Sequence, residues 1–498
     1  MTGKFAFLGC GALALVLALP ASAQAETLQQ ALQAAYENNP TLAAQRASVR
    51  VADEDVPIAR SAGLPSIEGS ATFQENLLKG EPSASGFFSD PDRQIVAQLS
   101  ANVPLVNFGA VGASVDAAEE RVGASRLGLR TTESELFLQV VAAYMDVLRD
   151  EAAVALNQSN TQVMQFTLEE TRERLEAGNR GPTDVAQAEA RLALAESQLE
   201  SARAQLITSS ENYIRLVGHA PADLSVPPAL PQLPESSQDA VDIALENNPE
   251  FLAAITQSRA ADHDVDAAKA QRLPTLSAIG GINQYDYLGS LDAGTGPRNG
   301  DRGTTAFVGM QLNLPIFQGG RLSAQMRQAQ ARRSVAIEQV LEAERALVAD
   351  TRSAYASWRS AERVIGSAQR GVDANERALM GMVAETTAGL RPLLDRLNAE
   401  QELLNAQVTL LAARRDAYVA GFQLLAAMGL AEARDLNFEN SLLYDPVANF
   451  DRINNRVLQF APDPEAEPSG TGTRDIVMQY SRIEPDTALA MSSAMDDR

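Results

Sequence analysis

The feature that most constrains this 498-residue chain is a tandem duplication. Residues 37–40 (Glu-Asn-Asn-Pro) recur 209 positions later as residues 246–249, and after a gain of two residues the offset becomes 211. At the second offset the matching pairs are Asn102 and Asn313, Gly109 and Gly320, Tyr144 and Tyr355, Gly178 and Gly389, Asp184 and Asp395, and Gly218 and Gly429. Matches that keep their register over more than a hundred residues predict two copies of one structural unit.

Each copy has the same predicted order of elements: two helices, two strands, a very long helix, a glycine-containing tip and a returning helix. We expect a first repeat over 26–218, a linker over 219–235 and a second repeat over 236–429. The first short helix of each repeat ends at Asn-Asn-Pro, because proline cannot continue a helix and biases the residue before it away from the helical conformation. The predicted strands are 65–76, 94–107, 275–286 and 303–316, and the predicted long helices are 110–176, 183–216, 321–387 and 393–428.

The predicted strands alternate between apolar and polar residues. In the second strand Ile95, Leu99 and Val103 lie on one side, whereas Gln98 and Ser100 lie on the other. Such alternation over about 10 residues is typical of transmembrane β-strands, whose apolar side faces lipid. A soluble sandwich would explain one such strand, but four strands are too few for a sandwich or a closed barrel, and open edges cannot face lipid. We therefore expect the chain to pool its strands with copies of itself.

The predicted helices are long enough to cross a cellular compartment. No proline occurs between Gly109 and Gly178, and the copy at 321–387 is also free of proline. A helix of this length would extend about 100 Å at the rise of an α-helix. Apolar residues seven positions apart in the returning helices predict coiled-coil packing of antiparallel helices. They are Val185, Leu192, Leu199 and Leu206 in the first repeat and Leu390, Leu397, Leu404 and Leu411 in the second.

Residues 1–25 have the layout of a secretory signal peptide. Lys4 precedes an apolar run, and overlapping Ala-x-Ala sites end at Ala23 and Ala25, so cleavage after either alanine is expected. The one cysteine, Cys10, lies within this run, and the mature chain should therefore contain no disulfide or cysteine metal site. No later stretch contains 18 uninterrupted apolar residues, the length from which a transmembrane helix is predicted.

Composition argues against several classes of function. The formal net charge of -23 disfavours nucleic-acid binding, which needs basic surfaces. We find no zinc-protease, phosphate-loop, serine-hydrolase or dinucleotide motif, and residues 262–273 lack the glycine and the final glutamate of a calcium loop. We therefore expect neither an enzyme nor a cofactor or metal. The acidic segment 430–498 is expected to be largely disordered, with a stretch around 442–460 packed on the helices.

The tips of the two predicted hairpins show the turn chemistry of helix ends. Gly178 and Gly389 are expected to end the long helices, and a proline opens each returning helix. Asp184 and Asp395 then fall in the first turn of the returning helices, where the helix dipole favours a carboxylate. Helix capping is the simplest interpretation of both aspartates.

These linked features resemble the TolC family of outer-membrane channel proteins over about residues 26–430. The resemblance depends on the order and spacing of the duplicated Asn-Asn-Pro and Leu-Pro segments, the Asn-x-Pro strand-to-helix junctions and the two tips. It implies a mainly α-helical fold with a β-barrel portion, in which a homotrimer forms one twelve-stranded outer-membrane barrel that continues as an α-helical periplasmic tunnel. Such a protein is the exit duct for an inner-membrane ABC or proton-driven pump and its membrane-fusion adaptor.

The resemblance also implies a periplasmic gate. Asp184 matches the family's tip aspartate, and Arg391 matches the arginine that pairs with it to hold the tunnel shut. Asp395 matches an inward carboxylate of the constriction, and Thr183 lies beside Asp184. The tip residues that the resemblance places near the adaptor are Gly178, Gly181, Gly389 and Leu390.

This sequence departs from the family pattern at two gate positions. It has Asn398 where a second carboxylate is common, and Thr386 where a tyrosine is common. We therefore expect fewer bonds to hold the gate and a less anionic lumen.

The alternative is a periplasmic coiled-coil adaptor without a pore. An adaptor explains the hairpins but neither the four alternating strands nor the duplication. Exit ducts for secreted proteins and for small toxic molecules are similar, so both classes of cargo stay open.

Overall fold

The computed structural model describes residues 25–77, 91–178, 181–231, 233–290, 301–436, 438–439, 443–457 and 470–477. Nearly all of the predicted signal peptide lies outside these residues. In chain order the elements are α1 (Leu28–Asn38), α2 (Pro40–Ser61), β1 (Ser66–Glu75), β2 (Arg93–Val106), α3 (Ala110–Glu176), α4 (Pro182–Val217), α5 (Ser237–Asn247), α6 (Pro249–Ala270), β3 (Thr275–Asp286), β4 (Arg302–Asn313), α7 (Arg321–Thr387), α8 (Leu393–Ala427) and α9 (Ala448–Ile453).

The duplication is visible in the lengths of the helices. α1 and α5 each have 11 residues, α2 and α6 each have 22, and α3 and α7 each have 67. The returning helices α4 and α8 have 36 and 35 residues. α3 and α7 have the predicted bounds, and the ends of α4 and α8 differ from prediction by at most one residue. None of the described helices combines the length and apolar character needed to cross a membrane.

The Asn-Pro step in each repeat joins the first helices to the end of the hairpin. The side chains of Asn39 and Asn248 cap the following helices, α2 and α6. Their amide groups also donate hydrogen bonds to the carbonyl oxygens of Leu216 (2.9 Å) and Ala427 (3.0 Å). A Cβ atom on Gly429 would lie 2.5 Å from a backbone oxygen of α5, so only glycine allows this approach. In each repeat, the Asn-Asn-Pro segment therefore packs against the end of the returning helix, where the repeated glycine (Gly218 or Gly429) lies.

The four strands form one antiparallel sheet in the order β1-β2-β3-β4. In its register Leu99 lies opposite Gly69 and Ile282, whereas Ser100 lies opposite Glu68 and Gly281. Because neighbours across an antiparallel sheet share a face, the apolar and polar residues are separated onto opposite faces. Within the described residues, the outer edges of β1 and β4 have no strand partner.

The prediction that the fourth strand continues to residue 316 is wrong, because β4 ends at Asn313. Pro315 follows two residues later, and proline has no N–H group to donate to a neighbouring strand. The equivalent Pro104 lies inside β2, where the register with β3 shifts between Pro104 and Val106. An irregularity of this kind allows a strand to continue past a proline.

The main hydrophobic core lies where the short helices meet the long ones. The rings of Tyr36, Phe137 and Phe438 pack with centroids 5.7–6.1 Å apart. Leu230 and Leu233 of the predicted linker pack against the same core. The linker is thus attached to the helical body along part of its length.

Part of segment 430–498 also packs on the helices. The Tyr444 N–H donates to the Tyr36 hydroxyl (2.9 Å), and the Asn449 amide donates to Asp53 (2.9 Å), which is fully buried. These contacts agree with the stretch expected around 442–460. Ala431 is also fully buried, so packing begins earlier than expected. For the rest of the segment, disorder stays a prediction.

Candidate functional site at the hairpin tips

Both hairpin tips are built on glycines in the left-handed conformation. Gly178 has φ +75° and Gly389 has φ +74°, values that residues with a Cβ atom rarely adopt. The amide of Gly178 donates to the carbonyl of Leu175 (2.9 Å), and that of Leu390 donates to the carbonyl of Glu385 (2.9 Å), so these bonds close the helix ends. Gly181 precedes α4 in an extended conformation, and Leu390 is 77% exposed.

The structure places the predicted aspartates in the first turns of the returning helices. Asp184 lies in the first turn of α4, where its amide donates to the Gly181 carbonyl (3.1 Å), and the exposed Thr183 precedes it. Asp395 lies in the first turn of α8. Both positions suit a carboxylate because a helix N-terminus carries partial positive charge.

Arg391 pairs with carboxylates of its own tip. Its Nε donates to Glu385 (2.9 Å), and its Nη1 lies 3.5 Å from Asp395 Oδ2. All three side chains are between a third and a half exposed, so these pairs contribute little to stability. Among the described ion pairs within the protomer, Arg391 therefore meets Asp395 but not Asp184.

A second polar cluster lies about one turn further along α8. Arg396 on α8 donates to Glu400 on the same helix (3.0 Å) and to Glu170 on α3 (3.2 Å). Its side chain is only 14% exposed. The sequence alone did not indicate this cluster. Its one signal was the spacing of Arg396 and Glu400, which places them on one helix face, whereas the contact with Glu170 depends on how α3 and α8 pack.

Apolar residues from three helices pack around this cluster. Leu393 and Leu397 on α8 are buried together with side chains from the first hairpin. Those side chains are Met164 and Leu168 on α3 and Ala188 and Ala195 on α4. The first two turns of α8 therefore lie in the groove between α3 and α4.

Asn398 and Thr386, the two gate residues that differ from the family pattern, have different contacts. The Asn398 side chain accepts a hydrogen bond from Arg191 on α4 (2.6 Å). Thr386, at the end of α7, is 3% exposed, and its hydroxyl has no partner among the described residues.

The aspartates of segment 262–273, which was compared with a calcium loop, lie on α6 and form ion pairs with other helices. Asp264 binds Arg121 on α3 (2.5 Å), and Asp262 binds Arg333 on α7. Across the described residues, no group of three or more histidine, cysteine or carboxylate side chains is arranged to hold a metal.

The sequence matches a family model described as Outer membrane efflux protein over residues 31–219 and 240–430. The chain belongs to the outer membrane efflux protein family. The two matched ranges agree with the two repeats, and the resemblance to TolC is confirmed. The family consists of transport channels of the outer membrane.

Two relatives illustrate this similarity. The chain is 34% identical over 418 residues to the outer membrane efflux protein BepC of Brucella suis biovar 1 (strain 1330), covering 84% of this chain and 88% of BepC. It is 27% identical over 433 residues to the outer membrane protein TolC of Escherichia coli (strain K12), covering 85% and 86%. Nothing in these matches favours the alternative of a periplasmic adaptor.

A solved structure of an outer membrane channel has the same fold. The CmeC outer membrane channel of Campylobacter jejuni superposes with a TM-score of 0.70 at 18% identity, covering 85% of this chain and 88% of CmeC. Strands joined to long helical hairpins in two tandem repeats are therefore a TolC-like fold.

Proposed function

We propose that this chain is the exit duct of a tripartite export system and that it works as a homotrimer. The observation that supports this most is the four-stranded sheet, which has one apolar face, one polar face and two edges without partners in the described residues. Three such sheets joined edge to edge would form one barrel of twelve strands, with the apolar face toward lipid and the polar face toward the lumen. Both secreted proteins and small toxic molecules suit such a duct.

The helical hairpins would form the periplasmic tunnel. α3 and α7, with 67 residues each, are about 100 Å long at the rise of an α-helix. The hairpin tips lie at their far ends. The tip residues that would contact a membrane-fusion adaptor and an inner-membrane ABC or proton-driven pump are Gly178, Gly181, Gly389 and Leu390. Leu390 is 77% exposed and is therefore accessible to such a partner.

The periplasmic gate would consist of Thr183, Asp184, Arg391 and Asp395. Since the described ion pairs of Arg391 within one protomer go to Glu385 and Asp395, a pair with Asp184 would form between neighbouring protomers. In the trimer each Arg391 would then exchange or share its carboxylate partners.

The assembly is tested by measuring the mass of the protein extracted from outer membranes in detergent. We expect three protomers per particle and ion conduction when the particles are added to a planar bilayer. The reason is that isolated four-stranded sheets would leave unpaired backbone groups in lipid. Recovery of a monomer that stays soluble without detergent would contradict the proposed function.

A further inference from the structure

We propose that Arg396 is a positioning residue of the gate: its side chain bridges two hairpins of one protomer and keeps the start of α8 against α3. This inference rests on the proposed function, because it assumes that the periplasmic end of the tunnel opens and closes. It differs from the Arg391 contacts in place, partners and burial.

The bridge joins helices from the two different repeats. Arg396 Nη1 lies 3.2 Å from Glu170 Oε2 on α3, and Arg396 Nη2 lies 3.4 Å from the hydroxyl of Thr167, one turn earlier on α3. Arg396 Nε donates to Glu400 (3.0 Å), which orients the guanidinium from its own helix. One side chain thus spans the interface between the first and second hairpins.

The bridge is sheltered in a way that the other tip ion pairs are not. The side chains of Arg396, Glu400 and Glu170 are 14%, 6% and 27% exposed, whereas that of Arg391 is 48% exposed. Buried charge-assisted hydrogen bonds are stronger and less screened by salt than exposed ones. The Arg396 bridge is therefore better suited than the Arg391 pairs to hold α8 in place.

Loss of the bridge would favour movement of α8 away from α3. The carboxylate of Glu400 would remain buried beside that of Glu170 without the cation that binds both, and burial already raises the pKa of Glu400. Arg174 also binds Glu170 (2.6 Å), but it lies on α3 and contacts no residue of α8 in the described ion pairs. An uncompensated buried charge is costly, and displacement of α8 away from α3 would bring Glu400 into water.

The position of the bridge explains why such movement would open the tunnel. Arg396 follows Asp395 directly and lies between Leu393 and Leu397, the two residues that seat α8 in the groove of the first hairpin. The Thr386 hydroxyl at the end of α7 makes no hydrogen bond in the described structure. Near the tip, the polar contacts between the two hairpins are therefore those of α8, where Arg396 and the exposed Arg191–Asn398 contact reach the first hairpin. Arg415 on α8 also binds Asp146 on α3 (2.9 Å), but that ion pair lies further along α8, away from the tip.

The test compares the single-channel conductance of Arg396→Met with that of a matched control, Arg172→Met. Arg172 also pairs with a glutamate, Glu189 (2.6 Å), but that pair joins α3 and α4 of one hairpin and is about half exposed. We expect Arg396→Met to shift the closed–open equilibrium about tenfold per protomer, the effect of losing one charge-assisted hydrogen bond. We expect no change for Arg172→Met and partial recovery of closure for Arg396→Lys.

A double-mutant cycle separates the bridge from general packing. If Arg396 acts through Glu170, the pair Glu170→Gln and Arg396→Met should open the channel no further than Arg396→Met alone. Glu170→Gln by itself tests the same bridge if Arg396→Met fails to assemble. Unchanged conductance together with a lower melting temperature, or additive effects of the two substitutions, would overturn the inference. A wild-type protein that forms no channel would instead overturn the proposed function.

Discussion

At the scale of single residues, the carboxyl group of Glu133 on α3 is strongly perturbed by its surroundings. Burial raises its pKa to about 7, and the nearby charge of Glu432 acts in the same direction. The Ala433 N–H donates to Glu133 (2.6 Å) and partly opposes the shift, as do the charges of Arg46 and Arg434. Glu133 thus joins α3 to the segment that follows the second repeat.

This pKa predicts that stability decreases as the pH rises. A carboxyl group with a raised pKa in the folded state stabilises the fold below its ordinary pKa of 4.5, and this contribution is lost as the pH rises through about 7. At pH 8 we expect Glu133→Gln to be more stable than wild type by on the order of 1–3 kcal/mol per protomer, with little difference at pH 4.5. Melting temperatures at the two pH values measure this effect.

The control for this prediction is Glu135→Gln, an exposed position on the same turn of α3. It should leave the pH dependence of melting unchanged. Equal slopes of melting temperature against pH for wild type and Glu133→Gln would show that folding does not raise the pKa of Glu133.

At the scale of secondary structure, the bounds of the long helices were predictable from the sequence, whereas the contacts between paired strands were not. The bounds of α3 and α7 followed from glycines at their ends and the absence of proline between them. The ring of Phe307 covers Gly281 on the polar face of the sheet, where a Cβ atom would lie 2.8 Å from the ring. This contact depends on the register of β3 against β4, which alternation alone leaves open.

The separation of the two sheet faces gives a prediction for one pair of adjacent residues. Leu99 lies on the apolar face and Ser100 on the polar face of β2. If the apolar face meets lipid near mid-bilayer, Leu99→Arg should destabilise the barrel by about 2–4 kcal/mol, because a charge must enter hydrocarbon. Ser100→Arg should be tolerated, since it would face the lumen.

The yield of folded oligomer in the outer membrane measures both substitutions. The neighbouring positions have the same backbone setting, so each serves as the control for the other. Similar yields for Leu99→Arg and Ser100→Arg would argue against the assigned faces.

At the scale of the whole molecule, the sequence indicated which residues lie at the tips but not which contacts hold them. The spacing of Gly178 and Asp184, and of Gly389 and Asp395, predicted two related turns, and the structure contains both. The partners of Arg391 depend on the packing of side chains around a short turn, and a link to Asp184 would depend on a neighbouring protomer. Such contacts leave no periodic signal in one sequence.

The gate proposal predicts that Arg391→Ser and Asp184→Ala raise single-channel conductance while the trimer survives. A charge-assisted hydrogen bond contributes about 1.5–3 kcal/mol, and less where solvent reaches it, as it does at Arg391. Three symmetry-related copies could still shift a balanced closed–open equilibrium by several kcal/mol. Arg172→Ser, which removes an exposed arginine from the first hairpin, is the control and should conduct like wild type.

Measurements of ion selectivity can distinguish a gate from a simple helix cap. Arg391 and Asp395 have opposite charges, and their side chains lie 3.5 Å apart, so removal of either one changes the local charge in an opposite sense. If three Asp395 carboxylates ring the lumen, Asp395→Ala should weaken the preference for cations and the block by multivalent cations. Arg391→Ser should leave that preference intact or increase it, because it removes the cation that partly neutralises the ring. Reversal potentials in a salt gradient measure both effects. Unchanged conductance in Arg391→Ser, accompanied by a lower melting temperature, would show that Arg391 only stabilises the turn between α7 and α8.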